Sequence, residues 1–217
     1  MIEFTVNGIE IERYAATPSL SLKVRIAETS GEPVHTVALR CQLRIDPQRR
    51  GYDQGEADGL LDLFGQRVRW NDTLRPFLWM HTSTMVPGFT GETEATLPLP
   101  LSYDLEVAAA KYLHAVRSGD IPLSLMFSGT AFLKGSSGFQ VLQIPWNSDL
   151  SYRMPGSLWR EAMDQFFPGA GWIRVQQDTL DALLRVRSDL GLPSWEETFA
   201  AVLAKAGMSD PDRVLPS

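Results

Sequence analysis

The sequence predicts an α+β protein: an antiparallel β-sandwich, or a strongly bent sheet, with one covering helix, followed by a C-terminal unit of three helices. Three observations carry this expectation. Runs such as Leu20 to Ala27 and Val34 to Ile45 alternate apolar and polar residues with a period of two, the pattern of strands with one wet face. Ile121 to Trp146 holds two further β-rich runs joined by Lys134-Gly135-Ser136-Ser137-Gly138, which has the form of a hairpin within the main sheet. Beyond Trp146 the period becomes that of amphipathic helices. The chain divides accordingly into a β-rich domain over 1–150, a helical unit packed on it over 151–207 and a loose tail over 208–217.

Each element has its own signal. Residues 2–7 and 9–14 read as short strands joined at Asn7-Gly8, a pair that tolerates positive φ in a tight turn. The run from Leu20 puts Leu20, Leu22, Val24 and Ile26 on one face. Val34 to Ile45 then gives the longest alternation, with Val37, Leu39, Cys41 and Leu43 on the dry side and Thr36, Ala38, Arg40, Gln42 and Arg44 opposite. Asp46-Pro47 ends it, and Gln48 to Trp70 reads as a loop holding a solvated acidic helix from Glu56 to Phe64. Phe77 to Val86 and Glu92 to Leu99 return to strand character. Asp104 is placed to cap a helix over Leu105 to Arg117, with Gly119 as its stop. Gly129, inside the first arm of the hairpin, marks a bulge or a close backbone approach. In the last third Ser157 and Asp178 are expected N-caps, and Ser194 with Glu197 has the form of a capping box for a helix to Ala206.

Composition limits the function classes. The 217 residues are 44% hydrophobic and 21% charged, ordinary for a globular chain that buries a core without staples. A net charge of -6 and a pI near 5.1 give no general attraction to nucleic acid or anionic membranes. The single cysteine, Cys41, has the phase of the apolar residues and reads as a core thiol. No signal peptide or membrane-spanning run is recognisable, so a cytoplasmic location is expected.

Candidate chemistry is sparse. His35, His81 and His114 have no second histidine or cysteine at ligand spacing, and the acidic residues Asp53, Glu56, Asp58 and Asp62 lack the order of a calcium loop, so neither metal nor cofactor is expected. Ser128 lacks the glycine two positions before it that a nucleophile elbow needs. An enzyme would have to be built on Asp53, Glu56 or Asp62 with Arg49 or Arg50.

Three resemblances add to this reading. The run Trp172 to Gly207, an extended piece and two helices, resembles a ribbon-helix-helix unit, which would imply a DNA-binding regulator reading the major groove through Trp172, Arg174 and Gln176. Residues 171–217 nevertheless hold five basic and seven acidic side chains, the wrong balance for phosphate contacts. The helix followed by Gly119-Asp120-Ile121-Pro122-Leu123 is similar to the SecB export chaperones, implying a tetrameric holder of unfolded chains. Over nearly its whole length the chain resembles an uncharacterised bacterial family of unknown function associated with NiFe-hydrogenase gene clusters. That likeness lies in Asp46-Pro47-Gln48-Arg49-Arg50-Gly51-Tyr52, Leu63-Phe64-Gly65, Trp70, Leu74-Arg75, Val86-Pro87, Lys111-Tyr112, Ile121-Pro122-Leu123, Phe127-Ser128-Gly129-Thr130, Ile144-Pro145-Trp146, Trp159-Arg160 and Pro193-Ser194-Trp195. It implies an accessory role in hydrogenase maturation and brings no catalytic residues.

The reading that results is a non-enzymatic binding or assembly protein with a protein partner, no nucleic acid and no membrane; a homo-oligomer stays open. Arg49, Arg50, Tyr52, Trp70, Trp172 and Arg174 are the partner-binding candidates, because aromatic and arginine side chains in loops or on outward phases are enriched where proteins meet.

Overall fold

Seven strands of the described chain form two antiparallel sheets. The computed structural model describes residues 1–102, 107–135, 138–169 and 173–208, with the side chains of 135, 139 and 146–148 outside the description. Strands β1 (Ile2–Ile11), β2 (Ser19–Glu28) and β5 (Glu92–Pro100) make one sheet in the order β1-β2-β5. Strands β3 (Val34–Ile45), β4 (Phe77–Phe89), β6 (Asp120–Gly135) and β7 (Gly138–Pro155) make the other, in the order β4-β3-β6-β7. The sandwich expected from the alternation is the fold.

The period-two pattern decides which faces meet. Leu20, Leu22, Val24 and Ile26 of β2 and Val37, Leu39, Cys41 and Leu43 of β3 are all buried, as their phase requires. Each large aliphatic buried this way contributes roughly 1.5–3 kcal/mol. Phe4 of β1 stacks on Phe127 of β6, with ring centroids 4.7 Å apart and planes 11° from parallel. At one seam Thr82 of β4 donates to the Pro98 carbonyl of β5 at 2.6 Å, which ties the two sheets together.

Several local expectations are corrected. The Asn7-Gly8 pair makes no hairpin: β1 is continuous, and its register with β2 steps from Val6 opposite Val24 to Gly8 opposite Lys23, leaving Asn7 as a bulge. The proposed helix from Glu56 is two short ones, α1 (Gln54–Gly59) and α2 (Leu61–Phe64), followed by α3 (Trp70–Thr73). The helix expected from Leu105 is α4, Ala108–Ala115, and its expected cap, Asp104, lies outside the described residues. Neither Ser157 nor Asp178 caps a helix; α5 (Gly156–Phe166) and α6 (Gln177–Asp189) begin without a side-chain cap, whereas the Ser194 side chain accepts from the Glu197 amide at the start of α7 (Trp195–Lys205). Residues 173–176 carry neither helix nor strand.

The chain forms two compact units, Met1–Trp172 and Ile173–Ser217. A boundary at 150 would cut β7, which runs on to Pro155, and α5 belongs to the first unit. There α5 buries Trp159, Ala162 and Met163, and its Gly156 amide donates to the Gly119 carbonyl at 2.9 Å. A Cβ at Gly156 would stand 2.8 Å from that oxygen, so only glycine allows the approach. In the second unit α6 and α7 are joined through Gly191, at φ +64°, and Arg187, which donates to the carbonyls of Leu192 (3.2 Å) and Pro193 (2.6 Å) and lies over the Trp195 ring.

The Glu28 carboxylate closes the β2–β3 turn. It accepts from the Met1 amino group at 2.8 Å, the Ser30 hydroxyl at 2.6 Å and the amides of Ser30, Gly31 and Glu32 at 2.9, 2.8 and 3.2 Å. Burial by itself would raise its pKa, but these donors outweigh burial and hold it at about 2.

Candidate functional site

The segment from Asp46 to Leu74 packs Leu60, Phe64, Trp70 and Leu74 into the hydrophobic core and holds four of the six sequence-derived candidates. Asp46, buried at the end of β3, accepts the Ser124 hydroxyl, and the chain then turns through Pro47–Arg49. Arg50 folds inward. Its Nη2 lies 2.9 Å from both oxygens of Glu56 and donates to the Ser118 carbonyl at 3.0 Å, while Nε donates to Gly51 at 3.0 Å. Glu56, only 1% exposed, also accepts from the amides of Arg117 (2.9 Å) and Ser118 (3.1 Å). The acidic helix expected to be solvated thus carries a buried ion pair, which pins α1 to the turn between α4 and β6. Asp53 completes the start of α1 by accepting from the Glu56 amide at 2.8 Å.

The aromatic candidates lie in the same segment. The Tyr52 and Tyr112 hydroxyls are 2.8 Å apart, and the Tyr52 hydroxyl lies 2.8 Å from the Pro47 carbonyl. Burial raises both phenols, Tyr112 to about 12, so both are neutral at physiological pH. Trp70 is buried, donates to the Gly65 carbonyl at 3.0 Å and meets the Tyr52 ring edge-on at 5.1 Å. The Arg50 side chain, 8% exposed, and Trp70 are therefore interior, Tyr52 is half-buried, and Arg49 alone of the four stands at the surface. Of the other two, Arg174 is exposed in the second unit, and Trp172 lies outside the described residues.

Arg49 reaches a different surface, the wet face of the four-stranded sheet. Its Nη1 donates to Ser151 at 2.8 Å and its Nε is 3.6 Å from Asp46. Register builds the face: Arg40 lies between Ser83 and Ser128, Gln42 between His81 and Met126, and Arg44 between Leu78 and Ser124. A cavity of about 610 Å³ is lined by Arg40, Gln42, His81, Ser83 and Ser128, together with Cys41, Thr82, Pro98 and Pro100. A second, of about 290 Å³, is lined by Arg44, Asp46, Arg49, Ser124, Met126 and Asp149. Arg40 is exposed and has no ion pair among the described residues. The β3 alternation already put Arg40, Gln42 and Arg44 on this side; His81, Ser83 and Asp149 carried no signal because only strand order brings them together.

Cys41, buried on the dry side of β3, also lines the larger cavity, and burial pushes its thiol up to about 12, so it stays protonated. Among the described residues no group of three or more His, Cys, Asp or Glu side chains could hold a metal ion. No helix among them is long and apolar enough to cross a membrane.

The family described as "Family of unknown function (DUF6084)" matches residues 1–211. No curated protein matches the chain. Among solved structures, a late embryogenesis abundant (LEA) protein is similar at 11% identity and a TM-score of 0.28, covering 71% of this chain and 72% of its own. Spo0M, a sporulation control protein from Bacillus subtilis, is similar at 9% identity and a TM-score of 0.29, covering 87% of this chain and 55% of its own. A beta-glucosidase from Kluyveromyces marxianus is similar at 9% identity and a TM-score of 0.27, covering 71% of this chain and 15% of its own.

Proposed function

The chain belongs to DUF6084, a family of unknown function, and we propose that it is a non-enzymatic binding or assembly protein that holds a protein partner against the wet face of its four-stranded sheet. The observation that supports this best is the composition of that face. Three arginines, Arg40, Arg44 and Arg49, share it with hydrogen-bonding side chains and with the exposed apolar Leu78 and Met85. Guanidinium groups beside accessible apolar surface suit an acidic protein segment, since each arginine offers a planar fork to a carboxylate while its neighbours bury apolar area. The carboxylates on which an enzyme would rest do not converge. Asp53 caps α1, Glu56 is paired with Arg50, and Asp62 stands 3.6 Å from Lys111.

The family likeness supplies the partner to try first, a NiFe-hydrogenase subunit or one of its maturation factors, in the bacterial cytoplasm. The test is affinity capture from native lysate with the wild-type chain and with an Arg40→Glu/Arg49→Glu variant whose circular dichroism is unchanged. Recovery of hydrogenase components by the wild type and their loss in the variant is the expected result. Equal recovery by both proteins would refute the face, and recovery of no hydrogenase component would refute the assembly role.

A further inference from the structure

A third cavity lies on another part of the first unit, between α1, α2, α4 and α5, and nothing in the partner reading uses it. It measures about 660 Å³ and is lined by Gly55, Gly59, Asp62, Lys111, His114, Ala115, Arg117 and Arg160. A chain whose net charge is -6 here gathers three permanent cations and a histidine around one carboxylate. That carboxylate, Asp62, pairs among the described residues with Lys111 alone, at 3.6 Å, and its side chain is largely in water. Neither Arg117 nor Arg160 has an ion pair among the described residues.

One cation is held by its side chain and a second by its backbone. Arg160 donates through Nη1 to the Val116 carbonyl at 2.7 Å. The Arg117 amide is anchored on the buried Glu56 at 2.9 Å, so the backbone that carries this guanidinium is fixed by the ion pair behind it. The His114 ring packs edge-on against Trp159, with centroids 6.4 Å apart. On the opposite wall the two glycines of α1 present no side chain. A Cβ at Gly59 would already be 3.0 Å from that of Ala115, so glycine there lets α1 lie close to α4.

From this geometry we infer that the cavity between α1, α4 and α5 binds a small phosphate-bearing molecule, with Arg117, Arg160 and Lys111 as its recognition residues. The volume is that of a site for a ligand of a few hundred daltons. Guanidinium forks match phosphate oxygens, and an ammonium adds a point charge. A phosphate group satisfies three cations at once, which a single carboxylate does not.

Isothermal titration calorimetry with inorganic pyrophosphate and, separately, with citrate tests the assignment on the full chain. Saturable binding of pyrophosphate, tighter than that of citrate, is expected. Arg117→Gln and Lys111→Gln should each weaken it by roughly tenfold, the size of one lost charge-assisted hydrogen bond. Arg49→Gln, on the wet face of the sheet, should leave it unchanged, which separates this site from the partner surface. Thermal melting of each variant shows whether it folds, and Lys111→Gln serves if Arg117→Gln does not fold. Absence of saturable binding, citrate binding as tight as pyrophosphate, or folded variants that bind as well as the wild type would overturn the inference.

Discussion

At the scale of single residues the strongest energetic statements concern two buried carboxylates. Glu56 and Arg50 are matched in charge and hydrogen bonding, so each is costly to remove alone: the survivor would be an uncompensated charge in the interior. Glu56→Ala is expected to lose about 3–5 kcal/mol in urea denaturation, whereas Arg50→Met/Glu56→Leu should lose clearly less than the sum of its single changes. Additive losses would show that the pair is not coupled. Glu28 makes a pH prediction. Its carboxyl has an ordinary value of 4.5 and is held at about 2 in the folded chain, so the folded state binds fewer protons across that window. Its contribution is complete above the ordinary value and fades as pH falls through the folded one. Stability measured in steps from pH ~5.5 to ~2.5 should therefore fall less steeply in Glu28→Gln than in the wild type; parallel slopes would show that Glu28 carries no linkage.

At the scale of elements, glycine chemistry explains one reading that holds and one that does not. Gly129 sits at φ +151°, and a Cβ there would lie 2.1 Å from the Ala38 carbonyl oxygen on the neighbouring strand. The β6–β7 register slips at the same point, between Phe127 and Gly129. Gly129→Ala combines a disfavoured backbone with a clash against β3, so a loss of at least about 2 kcal/mol is expected in chemical denaturation; a loss under about 0.5 kcal/mol would mean that the sheet gives way easily there. Asn7-Gly8 was misread because the same dipeptide suits a two-residue turn and a bulge. What decides is the partner: β2 is long enough to pair with the whole of Ile2–Ile11, and the bulged Asn7 reaches Glu94 at 2.8 Å. The caps differ for a similar reason. Ser194 is followed three residues on by a glutamate whose amide it receives, while α6 begins at Gln177, two residues before a helix capped by Asp178 would.

At the scale of the whole molecule, the sandwich was legible because alternation is a local signal that strand pairing only has to respect. The candidate sites were less so. Arg40, Gln42 and Arg44 follow from one strand, but Arg117 and Arg160 meet only because α5 returns to α4, and no spacing records that. Arg50 and Trp70 show the opposite limit: residue types favoured at interfaces are also those that tie a loop to a core. The four strands at the sheet margins have a further consequence. β5 carries Pro98 and Pro100, β4 carries Pro87, β7 carries Pro145 and Pro155, and β1 is bulged at Asn7 between the acidic Glu3 and Glu10. Proline offers no amide to a new neighbour, and a bulge or a charge spoils the template. The margins of both sheets are thereby discouraged from growing by β-augmentation, with another chain or with a copy of this one. The same chemistry that ends each sheet works against edge-to-edge aggregation.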